Sequence, residues 1–429
     1  MSEPLRVAVA GLGTVGSGTV KLLQRNAALL ERRCGRAIDI VAVADPDRRD
    51  RGFPVDGYRW YDDGIAMARE APVDVVVELI GGSEGPARRA CEAALAAGRH
   101  LVTANKALLA HHGEALARAA EAAGVALSFE AAVAGGIPII KTLREGLAGN
   151  RCSRVYGILN GTCNFILSAM GEGGREFEDV LSEAQVLGYA EADPTFDVDG
   201  DDTAHKLAIL TTVAFGCRLD FAAVHVEGIR HVSPVDLAFA EELGYRIKLL
   251  GIAALTDRGV ERRVHPCMVP ASAPIAHVNG VFNAVVAHGD FVDTIVQVGR
   301  GAGELPTASA VVADLADIAA GRTASAFGVP VAALEDVPAV AMGGRRGACY
   351  VRLMVLDKPG VFADIAAILR DNRVSMEAVL QRARAPGEAV PVVMITHEAE
   401  EAAVIRSLRE IMALKTCVEE PRMIRIEPF

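Results

Sequence analysis

The stretch "LRVAVAGLGTVGSGTVKLL", residues 5–23, constrains this chain most: a short apolar run, a turn of three glycines, then apolar residues at helical spacing. That order predicts strand, turn and helix. Gly11, Gly13 and Gly16 follow the spacing G-x-G-x-x-G. Glycines so placed supply a tight turn, close approach of backbone to a pyrophosphate, and close helix–strand packing, while the helix N-terminus favours an anion. The competing reading is a glycine turn in some other α/β fold. Further alternations of strand and helix follow: "IDIVAVAD", "VDVVVELIGG" leading into "PARRACEAALAAG", "HLVTANKALLAHHGEALARAAEAAG" and "VALSFEAAV". Such alternation implies an open parallel sheet covered on both faces.

This organisation predicts a Rossmann-type dinucleotide-binding domain over residues 1–130, with a helix at about 306–320 returning to it. Asp45 ends the second strand, where a carboxylate accepts hydrogen bonds from an adenosine ribose, although it lies further from Gly16 than the usual ~20 residues. Asp45 favours NAD, whereas Arg48 and Arg49 suit a 2′-phosphate, so NAD and NADP both remain open. The predicted cofactor contacts are Gly11, Leu12, Gly13, Thr14, Val15, Gly16, Asp45, Gly81, Gly82, Lys106, Gly188 and Gly303. Lys106 stands just past a strand end, the edge where open α/β sheets bind ligands. By periodicity alone it is equally a solvated lysine near a helix start. The second glycine-rich stretch, residues 299–314, is a loop running into a helix and offers backbone amides to the cofactor site or serves as an interdomain hinge.

At 429 residues the chain is too long for one core. Residues 131–305 mix helical and β-rich stretches and predict an α+β domain with helices on one side of a sheet. Residues 321–347, rich in Pro, Gly and Ala, read as a linker. Residues 348–429 restart as strand, helix, two strands, helix and strand, a separate ferredoxin-like βαββαβ plait. The overall class is α/β. The eight cysteines are scattered, without CxxC or zinc-type Cys/His spacing. Net charge is −11 with no basic stripe, which argues against nucleic acid. No long apolar segment suggests a membrane span, and no basic region followed by an apolar run suggests secretion, so the expected location is cytoplasmic.

"EADPTFDVDGDDTAHK", residues 191–206, carries six carboxylates in its first twelve positions. A calcium loop needs glycine at its sixth position and glutamate at its twelfth. Counting from Asp193 gives Val198 and Ala204, and from Asp197 gives Asp202 and Ala208, so that reading fails. Asp193, Asp197, Asp199 and Asp201 are expected at a solvated surface. Asp202 and Lys206, four apart in a helical segment, share one face. An isolated pair contributes only ~0.3–0.5 kcal/mol, so chemistry explains it better than stability. His205 points about 100° away and reads as structural.

Taken together, "GLGTVG", "TANKALLA", "EAAVAGGIPII", "GILNGTCNFIL", the stretch from Ala184 through "LGYAEADPTFDVDGDDTAHKLAIL", and "GAGELPTASAVVADL" resemble homoserine dehydrogenases through the first ~320 residues. The plait, with "LDKPGVFADIAAIL", resembles an ACT domain. The resemblance implies NAD(P)-dependent interconversion of L-aspartate 4-semialdehyde and L-homoserine, in the route to threonine, isoleucine and methionine. It further implies that Glu191 and Asp202 hold the substrate's amino group, that Lys206 is the proton donor, and that Lys106 lies between cofactor and substrate. Glu130 and the carbonyls of Val133, Gly135 and Ile137 would hold sodium. Threonine is the expected effector, bound where two plaits meet around the "DKPG" turn, unless the plait serves only to dimerise. The resemblance also assigns residues 131–305 to substrate binding, catalysis and dimerisation, so a homodimer or homotetramer is expected. A cysteine nucleophile of the aspartate semialdehyde dehydrogenase kind is not expected, since Cys163 reads as a packing residue. The alternatives are another amino-acid dehydrogenase on this fold, or a non-catalytic sensor of nucleotide and amino acid.

Overall fold

The computed structural model describes residues 3–382 and 385–429. Six strands, β1 (Leu5–Ala10), β2 (Ile38–Ala44), β3 (Arg59–Tyr61), β4 (Val75–Glu78), β5 (His100–Thr103) and β6 (Leu127–Ser128), form one parallel sheet. Their order is β3-β2-β1-β4-β5-β6, so the connections reverse between β1 and β4. That switch point opens a crevice at the carboxyl ends of the strands. β1 and β4 are almost wholly apolar and buried, as a sheet covered on both faces requires. The helix Glu304–Ala319 lies along the helix Thr14–Arg25. Their approach is close enough that a Cβ at Gly18 would meet Glu304 Cγ at 2.6 Å.

The central sheet contains β7 (Cys152–Ile158), the short β8 (His225–Val226), β9 (Tyr245–Thr256), β10 (Gly259–Pro270), β11 (Phe282–Gly289) and β12 (Asp293–Arg300). The order β12-β11-β7-β9-β10 is antiparallel throughout, with β8 added alongside β10. Alternate residues of β7 serve different cores. Val155 packs with the cluster that includes Leu207 and Leu210, and Tyr156 and Ile158 with the cluster around Leu250 and Cys267. The helices Gly161–Gly173 and Asp201–Phe215 pack on this sheet. β7 therefore delivers Leu159 and Asn160 to the start of the first of these helices.

The remaining strands are β13 (Arg346–Gly347), β14 (Cys349–Leu356), β15 (Met376–Gln381), β16 (Ala389–Thr396), β17 (Ala399–Glu400) and β18 (Arg422–Ile426). With the helices Val361–Asp371 and Glu401–Met412 they complete the βαββαβ plait, in strand order β18-β14-β16-β15. Two features differ from the expectation of a separate plait on a free linker. β18 pairs in parallel with β10 at Cys267↔Arg425 and Met268↔Ile426, which joins both sheets into one of ten strands. The preceding segment is also tied down: the Val260 amide donates to the Pro338 carbonyl at 2.8 Å, and that of Arg218 to Glu335 at 2.9 Å. The physical reason is edge pairing, since each sheet would otherwise leave a strand with unsatisfied backbone groups.

Ion pairs, all but one of them buried on both sides, reinforce the seam. Arg425 reaches Glu401 at 2.6 Å and Glu227 at 2.7 Å, while Glu427 accepts from Arg263 at 2.6 Å and Arg345 at 2.8 Å. His265, Cys267 and Glu427 come within 4.8 Å of one another, but two guanidiniums already occupy that carboxylate, which disfavours a metal there.

Candidate active site

The glycine turn has the shape its spacing predicts. Gly11 has φ +90°, and a Cβ there would sit 2.5 Å from the Leu79 carbonyl oxygen. A Cβ at Gly16 would meet the Gly11 carbonyl oxygen at 1.9 Å. By contrast, nothing lies within 4 Å of the Cβ position of Gly13, the residue that precedes Thr14 and Val15 at the helix start. No side chain caps that helix, so its first amides are available to an anion.

Asp45 accepts from the Leu12 amide at 2.7 Å and from Arg51 at 2.9 Å, and Arg51 also donates to the Leu12 carbonyl at 2.7 Å. The arginines singled out from sequence lie elsewhere: Arg48 pairs with Asp62 and Arg49 with Asp47. Arg51, not considered from sequence, is the guanidinium beside Asp45. Gly81 and Gly82 form a turn just beyond β4, with φ +89° and +84°. Gly303 has φ +110° and precedes the helix Glu304–Ala319, whose Glu304 pairs with Lys21 of the first helix at 2.8 Å. Gly188 stands in an exposed turn after the helix Phe177–Val186.

At the same edge of the sheet, Asn105 caps the helix Lys106–Ala123 by accepting from the Leu108 amide at 3.1 Å. Lys106, first in that helix, extends its ammonium to within 3.2 Å of Asp202 Oδ1. Asp202 belongs to the helix Asp201–Phe215, whose Gly200 turn has φ +96°. Its Oδ2 accepts from Lys206 Nζ at 2.6 Å, and Lys206 also donates to the Leu159 carbonyl at 2.8 Å. Asp202 is thus a buried carboxylate held between two ammoniums. Burial pushes its pKa up, but Lys206, Lys106 and the hydrogen bonds outweigh that and hold it at about 2.

Two further residues join this centre. The Asn160 side chain caps the helix Gly161–Gly173 through the Cys163 amide, and its Nδ2 donates to Asp202 at 2.9 Å and Asp197 at 2.8 Å. Asp197, expected at a solvated surface, is instead a half-buried site residue because Asn160 and Thr162 draw it inward. Burial and the nearby Asp202 raise its pKa. Asp193, Asp199 and Asp201 lie outside this centre: Asp193 is exposed and bonds the Thr195 amide, and Asp199 pairs with Arg230. Glu191 is exposed, and among the described residues its carboxylate makes no ion pair. His205 sits among the rings of Phe221, His111 and Phe196, and burial, with His111 and Lys106, lowers its pKa to about 4. Cys163 is fully buried, and burial drives its thiol pKa well up, which suits packing rather than nucleophilic attack.

Glu130 is buried where the dinucleotide-binding part meets the central sheet. Its oxygens accept from the amides of Ile140 at 2.8 Å and Lys141 at 2.9 Å. The following loop packs against the second glycine loop, where a Cβ at Gly135 would lie 2.3 Å from the Gly301 carbonyl oxygen. Among the described residues, no donor reaches the carbonyls of Val133 or Gly135, whereas that of Ile137 accepts from the Ile139 amide at 2.8 Å.

The structure thus carries an uncapped glycine turn and a lysine–aspartate–lysine bridge at the carboxyl edge of the parallel sheet. Comparison with known proteins gives the family. The family model described as homoserine dehydrogenase matches residues 138–316, and the one for its NAD binding domain matches residues 11–130. The chain belongs to the homoserine dehydrogenase family. The homoserine dehydrogenase of Neisseria gonorrhoeae is 45% identical over 99% of both chains. A crystal structure of a homoserine dehydrogenase from Thiobacillus denitrificans is 46% identical with a TM-score of 0.94, covering 99% of this chain and 98% of that one. A putative homoserine dehydrogenase from Archaeoglobus fulgidus is 35% identical with a TM-score of 0.66. It is matched over its whole length by 74% of this chain. The activity is accordingly that of a homoserine dehydrogenase, an NAD(P)-dependent oxidoreductase. No helix among the described residues is long and apolar enough to cross a membrane.

Proposed function

We propose that Lys206 is the proton donor to the aldehyde oxygen of aspartate semialdehyde and the acceptor in the reverse direction. The observation that carries this reading is the lysine–aspartate–lysine bridge, with Lys206 fixed by both Asp202 and the Leu159 carbonyl. The nicotinamide cofactor, NADP or NAD, supplies or accepts the hydride. As the carbonyl is reduced, negative charge builds on its oxygen, and a positioned ammonium stabilises that charge and delivers the proton. Asp202 orients Lys206 and Lys106 together, and Lys106 lies between cofactor and substrate. Glu191 and Asp202 receive the substrate's ammonium, with Asp197 adding a third carboxylate to the acidic wall. Gly11 to Gly16 bind the pyrophosphate, Asp45 with Arg51 meets the adenosine ribose, and Gly81, Gly82, Gly188 and Gly303 line the rest of the cofactor site.

A sodium ion held by Glu130 and the carbonyls of Val133, Gly135 and Ile137 would brace the hinge. The Val133 and Gly135 carbonyls, which no donor reaches among the described residues, and the buried Glu130 carboxylate support that assignment. The plait serves as an ACT domain that binds threonine around the exposed Lys358–Gly360 turn, and the chain works as a homodimer or homotetramer. The setting is the cytoplasmic synthesis of threonine, isoleucine and methionine. Lys206→Ala tests the central claim through NAD(P)H oxidation with aspartate semialdehyde. Turnover should fall about 10²–10⁴-fold, the usual contribution of general acid–base catalysis, with nucleotide binding kept. Unchanged turnover would exclude Lys206 as proton donor.

A further inference from the structure

Glu78, the last residue of β4, is a fully buried carboxylate with no cation against it among the described residues. Neutral donors surround it instead. One oxygen accepts from the amides of Ile80 at 2.8 Å and Gly81 at 3.0 Å, and the other from the Thr103 hydroxyl at 2.6 Å. Thr103 ends the neighbouring strand β5 directly opposite Glu78, and its hydroxyl oxygen accepts from the Asn105 amide at 3.0 Å. Asn105 closes the ring by donating its side-chain amide to the Gly82 carbonyl at 2.8 Å, while its own oxygen caps the helix that begins with Lys106. Thr103 and Asn105 are buried as well.

A buried charge without a counter-ion is expensive, and an apolar side chain of similar size commonly serves stability as well or better. What Glu78 offers beyond stability is geometry. Its two oxygens fasten the Gly81–Gly82 turn on one side and the Thr103–Asn105–Lys106 corner on the other. We infer that Glu78 is a positioning residue, which through Thr103 and Asn105 fixes the cofactor turn at Gly81–Gly82 relative to the ammonium of Lys106. This rests on the reading above, in which both that turn and Lys106 belong to the site. The role requires acceptors on both oxygens at once, which no apolar residue and no singly accepting side chain provides.

The test compares Thr103→Val with Thr103→Ser, using Glu78→Ala as the harsher variant. Valine keeps the shape of Thr103 but deletes the hydroxyl that donates to Glu78; serine keeps the hydroxyl. Per folded molecule, kcat should fall at least about tenfold in Thr103→Val and return to within about threefold of wild type in Thr103→Ser, on the scale by which slight misplacement of reacting groups lowers rates. The dissociation constant for NADPH, read by fluorescence, should change less than about threefold, because the glycine turn that binds the pyrophosphate is untouched. A lowered melting temperature with wild-type kcat in both Thr103→Val and Glu78→Ala would reduce Glu78 to a structural role and overturn the inference. Lys106→Ala separates the two claims. If it keeps full activity, the underlying site reading fails; if it is inactive while Thr103→Val is not, only the role of Glu78 fails.

Discussion

Replacing Asp202 by Asn removes one negative charge from between two ammoniums while keeping the side chain's size. The folded protein holds this carboxyl at about 2, against 3.8 for the free group. That depression corresponds to on the order of 2 kcal/mol of favourable interaction with the charged form. Because the pKa is depressed on folding, that contribution is complete above about pH 4 and disappears as pH falls towards 2. Asp202→Asn should therefore melt lower than wild type at pH 7. At ~1–2 °C per kcal/mol for a cooperative unit of roughly 300–400 residues, the deficit is roughly 2–4 °C. The gap between the two proteins should narrow below about pH 4. Turnover should drop about 100-fold or more, since Lys206 loses the partner that orients it and faces Lys106 without an intervening charge. Calorimetry across pH, together with NAD(P)H absorbance under saturating aspartate semialdehyde, measures both effects. A variant melting within about 1 °C of wild type at pH 7, with turnover within about threefold, would refute the claim that this carboxylate organises the lysines.

His205 should behave differently. Its pKa of about 4 keeps it neutral at pH 7, and below about 6.5 the unfolded chain takes up protons that the folded one resists, so wild type loses stability on acidification. His205→Phe should keep turnover within about threefold and soften that acid-induced decline, as melting curves between pH 7 and 5 would show. Ending the chain after residue 345 removes β18 from the edge of β10 and takes Glu427 from Arg263. The shortened enzyme should melt lower and self-associate through the exposed edge, detectable by light scattering. A monodisperse truncation with unchanged melting would show that the seam matters little.

The parts of the site written in local sequence were legible. Gly11 and Gly16 are fixed by contacts a few residues away or across one strand, and Asp202 with Lys206 by one helical turn. The βαββαβ order likewise emerged from strand and helix periodicity. Asn160 was not legible as a site residue. It lies 42 positions before Asp202, and only the packing of β7 against the helix Asp201–Phe215 aims its amide at that carboxylate. Asp197 was misplaced for the same reason, since an aspartate in an acidic run reads as solvated until a distant donor is known. Arg51 was overlooked because the chain turns back after Asp45, bringing position 51 rather than 48 or 49 to the carboxylate. The fused sheet had no sequence signal, because pairing between two edge strands depends on how finished units meet.

The Lys106–Asp202 contact has a final consequence. Lys106 begins a helix of the parallel-sheet half, and Asp202 begins a helix of the antiparallel half. If these residues form the proposed reacting centre, each half alone lacks part of it, so mixing separately produced halves should restore turnover only to the extent that they re-dock. On the catalytic reading proposed for Lys206, any motion that parts these two side chains would switch chemistry off without unfolding either half.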